Sequence, residues 1–184
     1  AGTSVRVTTD TRYDQAPSVS PLGDVVVYES CLTSSANCDV RQAARVGPSW
    51  VVTNLTDSGD RDSSPDTDGI VVVYDSLRSG DRDIYWQPVG GGAEQRLEIP
   101  GEQRNPSVSG GLILFESVAI GEAAANLFVY EIATNRLFQI TSTPIDESLN
   151  DLSVLPNGQY RIVWSSGTEP NRDVFGATIT LPDV

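Results

Sequence analysis

Three carboxylates stand at the same place in three similar runs of the chain: Glu29 in VVVYES, Asp75 in VVVYDS and Glu116 in LILFES. Paired carboxylates perform glycoside cleavage, and a separation of about 5 Å or of about 6.5–9.5 Å sets whether configuration is retained or inverted. Here the acid recurs once per run, with Ser165 at the matching place in a fourth, IVWSS. Catalysis needs one asymmetric pair, so strict recurrence points to an architectural element. Asp39, Asp83, Asn126 and Asp173, each opening a further strand-like run, read as residues that bond the turns before their strands.

A second group of polar residues lies just ahead of those runs, in RYDQAP, RDSSP, EQRNP and SLNDL: Asp14, Gln15, Asp62, Arg104, Asn105, Asn150 and Asp151. If one opening gathers them they form a binding site, and Asp14, Asp62 and Asp151 become candidate ligands for calcium or another hard cation, which takes six to eight oxygens. No EF-hand or RTX spacing is present, and the competing reading is that these side chains satisfy backbone groups in turns. Among the aromatics, Trp50, Tyr85, Trp86, Tyr130 and Trp164 are read as packing; any exposed at a rim would offer a stacking platform for sugars or an anchor for protein.

Missing residue types narrow the chemistry further. The chain has no His, Lys or Met, and its 12 basic residues are all Arg. Ser-His-Asp and Cys-His nucleophile pairs and His-ligated zinc are excluded, as are Schiff-base chemistry and a Walker lysine. Acid/base work would fall to Asp, Glu or Tyr, with Arg for electrostatics. Twenty-five acidic residues give a formal charge of -13, which disfavours nucleic acid and anionic membrane surfaces as partners. No run approaches the ~18 apolar residues of a membrane span, so no membrane insertion is expected. The start, AGTSV, lacks a charged n-region followed by an apolar stretch, so any signal peptide is expected to be absent or already removed. Cys31 and Cys38, the only cysteines, flank LTSSAN; their even count and close spacing without a metal pattern suggest one disulfide and a secreted or periplasmic location.

The elements that position these residues repeat. In register stand APSVSPLGDVVVYES from Ala16, SPDTDGIVVVYDS from Ser64, NPSVSGGLILFES from Asn105 and, most divergent, DLSVLPNGQYRIVWSS from Asp151. The anchors Pro17, Pro65, Pro106 and Leu152 lie 48, 41 and 46 residues apart, a period typical of propellers and solenoids. Each copy continues through a polar loop into a third strand, and three copies add a fourth, WVVTNLT, EQRLEI and RLFQIT. SVRVTTD at the N-terminus has the layout of that missing fourth strand. β-branched and aromatic enrichment with Gly, Asp, Asn and Ser turns argues for an all-β chain. The expected fold, over residues 1–184, is a single four-bladed β-propeller of four-stranded antiparallel blades, its ring closed by the N-terminal strand completing the last blade.

APSVSPLGDVVVYES followed by DIYWQPVGGGAEQRL resembles the TolB-like propeller repeat, also called the WD40-like or PD40 repeat: Pro, a small hydrophobic pair, Ser-Pro-Asp-Gly, an apolar strand ending in Ser, then Asp-Ile-Tyr. The turn survives as SPLGD, DTDG, SGG and LPNG. The resemblance spans all four units and implies a propeller with a binding or scaffolding role in an exported protein. The function expected is a secreted, non-catalytic module for a protein or glycan ligand, monomeric. The alternatives are a carbohydrate-active enzyme, glycoside hydrolase or polysaccharide lyase, using Asp, Glu, Tyr and Arg, and a structural spacer in a larger exported protein.

Overall fold

The computed structural model describes residues 4–33 and 37–182, which form strands, turns and bends and no helix. The first sheet comprises β1 (Tyr13–Val19), β2 (Val25–Cys31), β3 (Cys38–Val46) and β4 (Ser49–Asn54), in that order. The second comprises β5 (Asp62–Thr67), β6 (Val71–Ser76), β7 (Asp83–Pro88) and β8 (Gln95–Arg96), and the third β9 (Glu102–Ser109), β10 (Leu112–Val118), β11 (Asn126–Glu131) and β12 (Arg136–Gln139). The fourth holds three strands, β13 (Glu147–Val154), β14 (Tyr160–Thr168) and β15 (Asn171–Ile179). Every pairing is antiparallel. The turn between first and second strands carries a glycine at positive φ, as at Gly23 (72°), Gly69 (87°) and Gly158 (79°), a conformation in which a Cβ would be strained.

The second strand of each sheet explains why the runs are apolar without alternation. One set of alternate side chains, Val25 and Val27 in β2, faces the following sheet and packs with Val40 against Val72, Tyr74 and Tyr85. The other set in β6, Val72 and Tyr74, faces back, while Val73 turns forward with Ile84 and Trp86 onto Ile113 and Phe115. Leu112 and Leu114 in turn meet Ile162, with Trp164 packed alongside. β6 and β10 are thus covered on both faces, as stacked blades require, and each fully buried apolar side chain contributes roughly 1.5–3 kcal/mol.

The innermost strands share a device the sequence did not announce. In all four sheets the first strand bulges, and one non-glycine residue in the bulge takes a left-handed conformation: Ala16 (φ 47°), Ser64 (53°), Asn105 (50°) and Leu149 (55°). This corrects the register of the fourth copy. Leu152 pairs with Ile162 as Val108 pairs with Ile113, so the residue matching Pro106 is Asn150, not Leu152. The turn LPNGQ is longer than SGG, and a sequence register drawn across it slips by two residues.

The sheets pack in sequence, β1 and β2 on β5, β5 and β6 on β9, β9 and β10 on β13. No comparable contact joins the fourth sheet to the first among the described residues. Residues 4–9, expected to supply the last blade's fourth strand, form no strand; Val7 and Thr8 instead line a cavity with Pro17, Val26 and Tyr28 of the first blade. The physical difference lies on β14, which turns Arg161 and half-exposed Val163 toward the side where the other blades present Val25 and Val27 or Leu112 and Leu114. Cys31 and Cys38 form the expected disulfide at the loop end of the β2–β3 hairpin, both buried.

Candidate functional site

The recurrent carboxylates sit in the joints between blades. Glu29 is at the end of β2, 4% exposed; its Oε1 accepts the backbone N–H of Ser64 in the next blade at 2.8 Å and its Oε2 accepts from Gln15 Nε2 at 2.8 Å. Asp75, fully buried, accepts the N–H of Asn105 at 3.1 Å, with Ser63 Oγ (2.6 Å) and Arg82 Nη1 (2.8 Å) on its other oxygen. Glu116, fully buried, accepts the N–H of Leu149 at 2.8 Å and Asn105 Nδ2 at 2.7 Å on one oxygen, and Arg104 Nε at 2.7 Å on the other. In each case the amide belongs to the left-handed bulge residue of the following blade. The bulge tilts that N–H out of its own ladder, and a buried N–H needs an acceptor; the preceding blade supplies one with a full charge, which makes a stronger bond than a neutral carbonyl would.

Electrostatics match this arrangement. Burial pushes the Asp75 carboxyl above its ordinary value, outweighing the opposing pull of Arg82 and Ser63. The bond to Glu116 holds the Arg104 guanidinium above its usual range despite desolvation. A general acid/base pair needs substrate access, and these carboxylates already have their oxygens filled from two blades. The architectural reading of Glu29, Asp75 and Glu116 therefore holds, and Ser165 marks the one blade without the bond.

The other candidates divide among separate places. Asn105, Asn150 and Asp151 come together, lining a groove of about 260 Å³ along the inner strands with Ser64, Pro65, Asp66, Pro106, Ser107 and Leu149. Asn150 Nδ2 donates to the Asn105 carbonyl at 2.9 Å, while its Oδ1 is buried without a partner. Asp14 and Gln15 line the cavity at the first blade's outer side, where Asp14 accepts from Ser30 Oγ at 2.7 Å. Asp62 is buried against Arg78 at 3.0 Å, and Arg104 serves Glu116. Asp14, Asp62 and Asp151 are thus bonded in three different settings. Among the described residues the cluster with ligand atoms within 4.8 Å of one another is Glu29, Cys31 and Cys38, whose sulfurs are joined to each other.

The groove also contains residues that the sequence reading passed over. Asp66 and Ser107 stand two residues after the left-handed residue, matching Ser18 and Asp151. Asp66 accepts the N–H of Val108 at 2.8 Å, and Ser107 Oγ accepts that of Leu152 at 3.1 Å, a second tie between blades. The signal was present as Ser or Asp in every copy, but only a register fixed on the bulge reveals it. Asp83 serves the turn before its strand, accepting from Ser79 Oγ, and also holds Arg96 (2.9 Å); Asp39 instead holds Arg12 ahead of β1 (2.9 Å) and Asn126 accepts the N–H of Thr143 after β12 (2.8 Å), so these two tie distant segments rather than the expected turns.

Three four-stranded meanders and a three-stranded one, packed face to face in sequence with β5, β9 and β13 along one groove, define the class: a β-propeller. No family model matches the chain, and no curated protein does. Among solved structures it is similar to TolB from Acinetobacter baumannii (22% identity, TM-score 0.61), covering 88% of this chain and 43% of that one. It is similar also to a putative TolB from Agrobacterium tumefaciens (18%, TM-score 0.67), covering 94% and 64%, and to a puromycin-hydrolyzing peptidase of Mycobacterium tuberculosis (16%, TM-score 0.60), covering 92% and 29%. The fold is therefore that of a TolB-like propeller, and the chain spans less than two thirds of the length of either TolB structure.

Proposed function

We propose that this chain is a non-catalytic binding module of an exported protein, and that its ligand is a protein segment held along the inner-strand groove. The observation that carries this is the commitment of Glu29, Asp75 and Glu116 to the joints, which removes the residues on which a carbohydrate-cleaving reading rested. What the groove offers instead is recognition chemistry: Pro65 and Pro106, the 74%-exposed side chain of Leu149, and the unpaired Asn150 Oδ1. An apolar anchor beside one unsatisfied amide acceptor suits an extended peptide better than a sugar ring. The buried disulfide supports an oxidising compartment, and the likeness to TolB structures supports an interaction role.

The test is surface plasmon resonance of the chain against exported proteins from its source, with a glycan array in parallel, using wild type, Leu149→Glu and Asn150→Ala. Saturable protein binding that weakens at least tenfold in Leu149→Glu is expected, since a hot-spot contact contributes ~2 kcal/mol or more. Binding confined to glycans, or release of reducing sugar from a polysaccharide, would overturn the proposal.

A further inference from the structure

Among the described residues six acids are buried, each at most 4% exposed: Glu29, Asp62, Asp75, Asp83, Glu116 and Glu147. Five of them hold an arginine, Arg61 at Glu29 (3.5 Å), Arg78 at Asp62 (3.0 Å), Arg82 at Asp75 (2.8 Å), Arg96 at Asp83 (2.9 Å) and Arg104 at Glu116 (2.7 Å). Glu147 holds none. Thr143 Oγ1 stands 3.4 Å from its Oε1, and its Oε2 is buried without a partner. A carboxylate is rarely buried alone, because desolvation disfavours the charge unless a cation offsets it.

The second blade shows what such a place is built to hold. Asp62 and Glu147 open β5 and β13 and pair with Ser76 and Ser166 respectively. Tyr74–Tyr85 and Trp164–Phe175 are the matching cross-strand pairs, their rings stacked at 6.1 Å and 5.8 Å. In the second blade Arg78 fills the space beside these groups. Its Nη2 donates to Asp62 at 3.0 Å and its Nε to Ser76 Oγ at 2.9 Å, and its guanidinium carbon lies 4.4 Å from the centre of the Tyr85 ring. The loops from Ser76 to Asp83 and from Ser166 to Asp173 are equally long, and where the first carries Arg78 the second carries Thr168, an exposed residue without charge. The fourth blade has instead a cavity of about 480 Å³ walled by Ile140, Ile145, Glu147, Trp164, Ser166 and Phe175. Trp164 Nε1 is buried there without an acceptor. These walls and Thr168 all lie within residues 140–175, and none of them lines the inner-strand groove.

We propose that this cavity receives an arginine side chain of a protein partner. The guanidinium donates to Glu147 Oε2 and Ser166 Oγ and lies against Trp164 and Phe175, as Arg78 does at Asp62, Ser76 and Tyr85, and a carbonyl of the backbone that carries it accepts from Trp164 Nε1. Arginine suits the site better than lysine, because its planar fork reaches a carboxylate and a hydroxyl together while its flat face stacks on the rings. A metal ion would find too few oxygens beside the aromatic walls, and a neutral sugar would leave the Glu147 charge without a counterpart. The site is separate from the inner-strand groove, so either reading can fail without the other.

The probe is the blocked tripeptide acetyl-Gly-Arg-Gly-amide, titrated into the isotope-labelled full chain and followed by the indole Nε1–H signals in NMR, that of Trp164 being assigned with Trp164→Phe. The Trp164 signal should move saturably while those of Trp50 and Trp86 stay in place. The citrulline tripeptide, equal in shape but neutral, should bind at least tenfold more weakly, and Glu147→Gln should weaken the arginine tripeptide at least tenfold. Glu147→Gln should melt no lower than wild type, since it gives up no ion pair within the chain. A Trp164 signal indifferent to the arginine tripeptide, equal binding of the citrulline tripeptide, or a Glu147→Gln chain that binds as wild type does or melts several degrees lower would each overturn the proposal. Binding of free arginine with the tripeptide excluded would overturn its assignment to a protein.

Discussion

Replacing Glu116 by Ala removes one acid that binds two blades at once. The fully buried carboxylate takes the Leu149 amide at 2.8 Å, Asn105 Nδ2 at 2.7 Å and Arg104 Nε at 2.7 Å. Breaking a buried charge cluster from one side costs ~3–5 kcal/mol, because the partners stay behind unpaired. The Arg104 side chain is 32% exposed, so water recovers part of its loss and the lower figure, ~3 kcal/mol, is the better expectation. A chain of this size loses about 2–4 °C of melting temperature per kcal/mol, so Glu116→Ala should melt roughly 6–12 °C below wild type. Glu116→Gln keeps the shape and one acceptor oxygen but gives up the charge, and should cost about 1–2 kcal/mol. Circular dichroism melts and urea titrations measure both. A Glu116→Ala protein that melts within about 1 °C of wild type would refute the assignment of this residue as a joint.

Other consequences can be read on the same purified chain. Burial raises the Asp75 carboxyl above 3.8 in the folded state, so the native protein holds that proton longer than the unfolded chain and the contribution of Asp75 falls as pH rises from 3.8 through the raised value. Urea melts over that interval should therefore show Asp75→Asn gaining on wild type as pH increases; a gap that moves the other way would mean Arg82 dominates. Burial, aided by the charge of Asp14, pushes the Tyr28 hydroxyl up to about 12, and alkaline absorbance titration of wild type against Tyr28→Phe should remove a phenol that ionises late. Reducing the Cys31–Cys38 bridge should cost ~2 kcal/mol for so short a loop, read as a modest fall in melting temperature with the fold retained. With Asp14, Asp62 and Asp151 bonded to Ser30, Arg78 and Ser107 respectively, EDTA or added calcium should leave the melting temperature in place, and a clear shift would revive a cation in the groove.

Much of this architecture was legible because it repeats. VVVYES, VVVYDS and LILFES announce apolar interior strands, and the glycines before them mark turns that take a positive φ. The architectural meaning of Glu29, Asp75 and Glu116 was legible for the same reason. Their partners were not, because each acceptor reaches a backbone amide, and any residue type can present one. The left-handed conformations of Ala16, Ser64, Asn105 and Leu149 fall on four different side chains, three of them outside the types usually found there. Without the bulge as a ruler, the fourth copy slid by two residues, and Asp66 and Ser107 went unnoticed. The end of the array was illegible in another way. Val7-Thr8 carries the pattern of an outer strand, but residues 4–9 form no strand in the structure, and pattern alone does not supply a pairing partner.

The central claim is that each of these acids belongs to the amide of the next blade. Residue-resolved amide hydrogen exchange tests it directly on Glu29→Ala, Asp75→Ala and Glu116→Ala. The account predicts that protection is lost first at Ser64, Asn105 and Leu149 respectively, one blade downstream in every case. Exchange that quickens only within the mutated blade, or leaves those three amides as slow as in wild type, would contradict it.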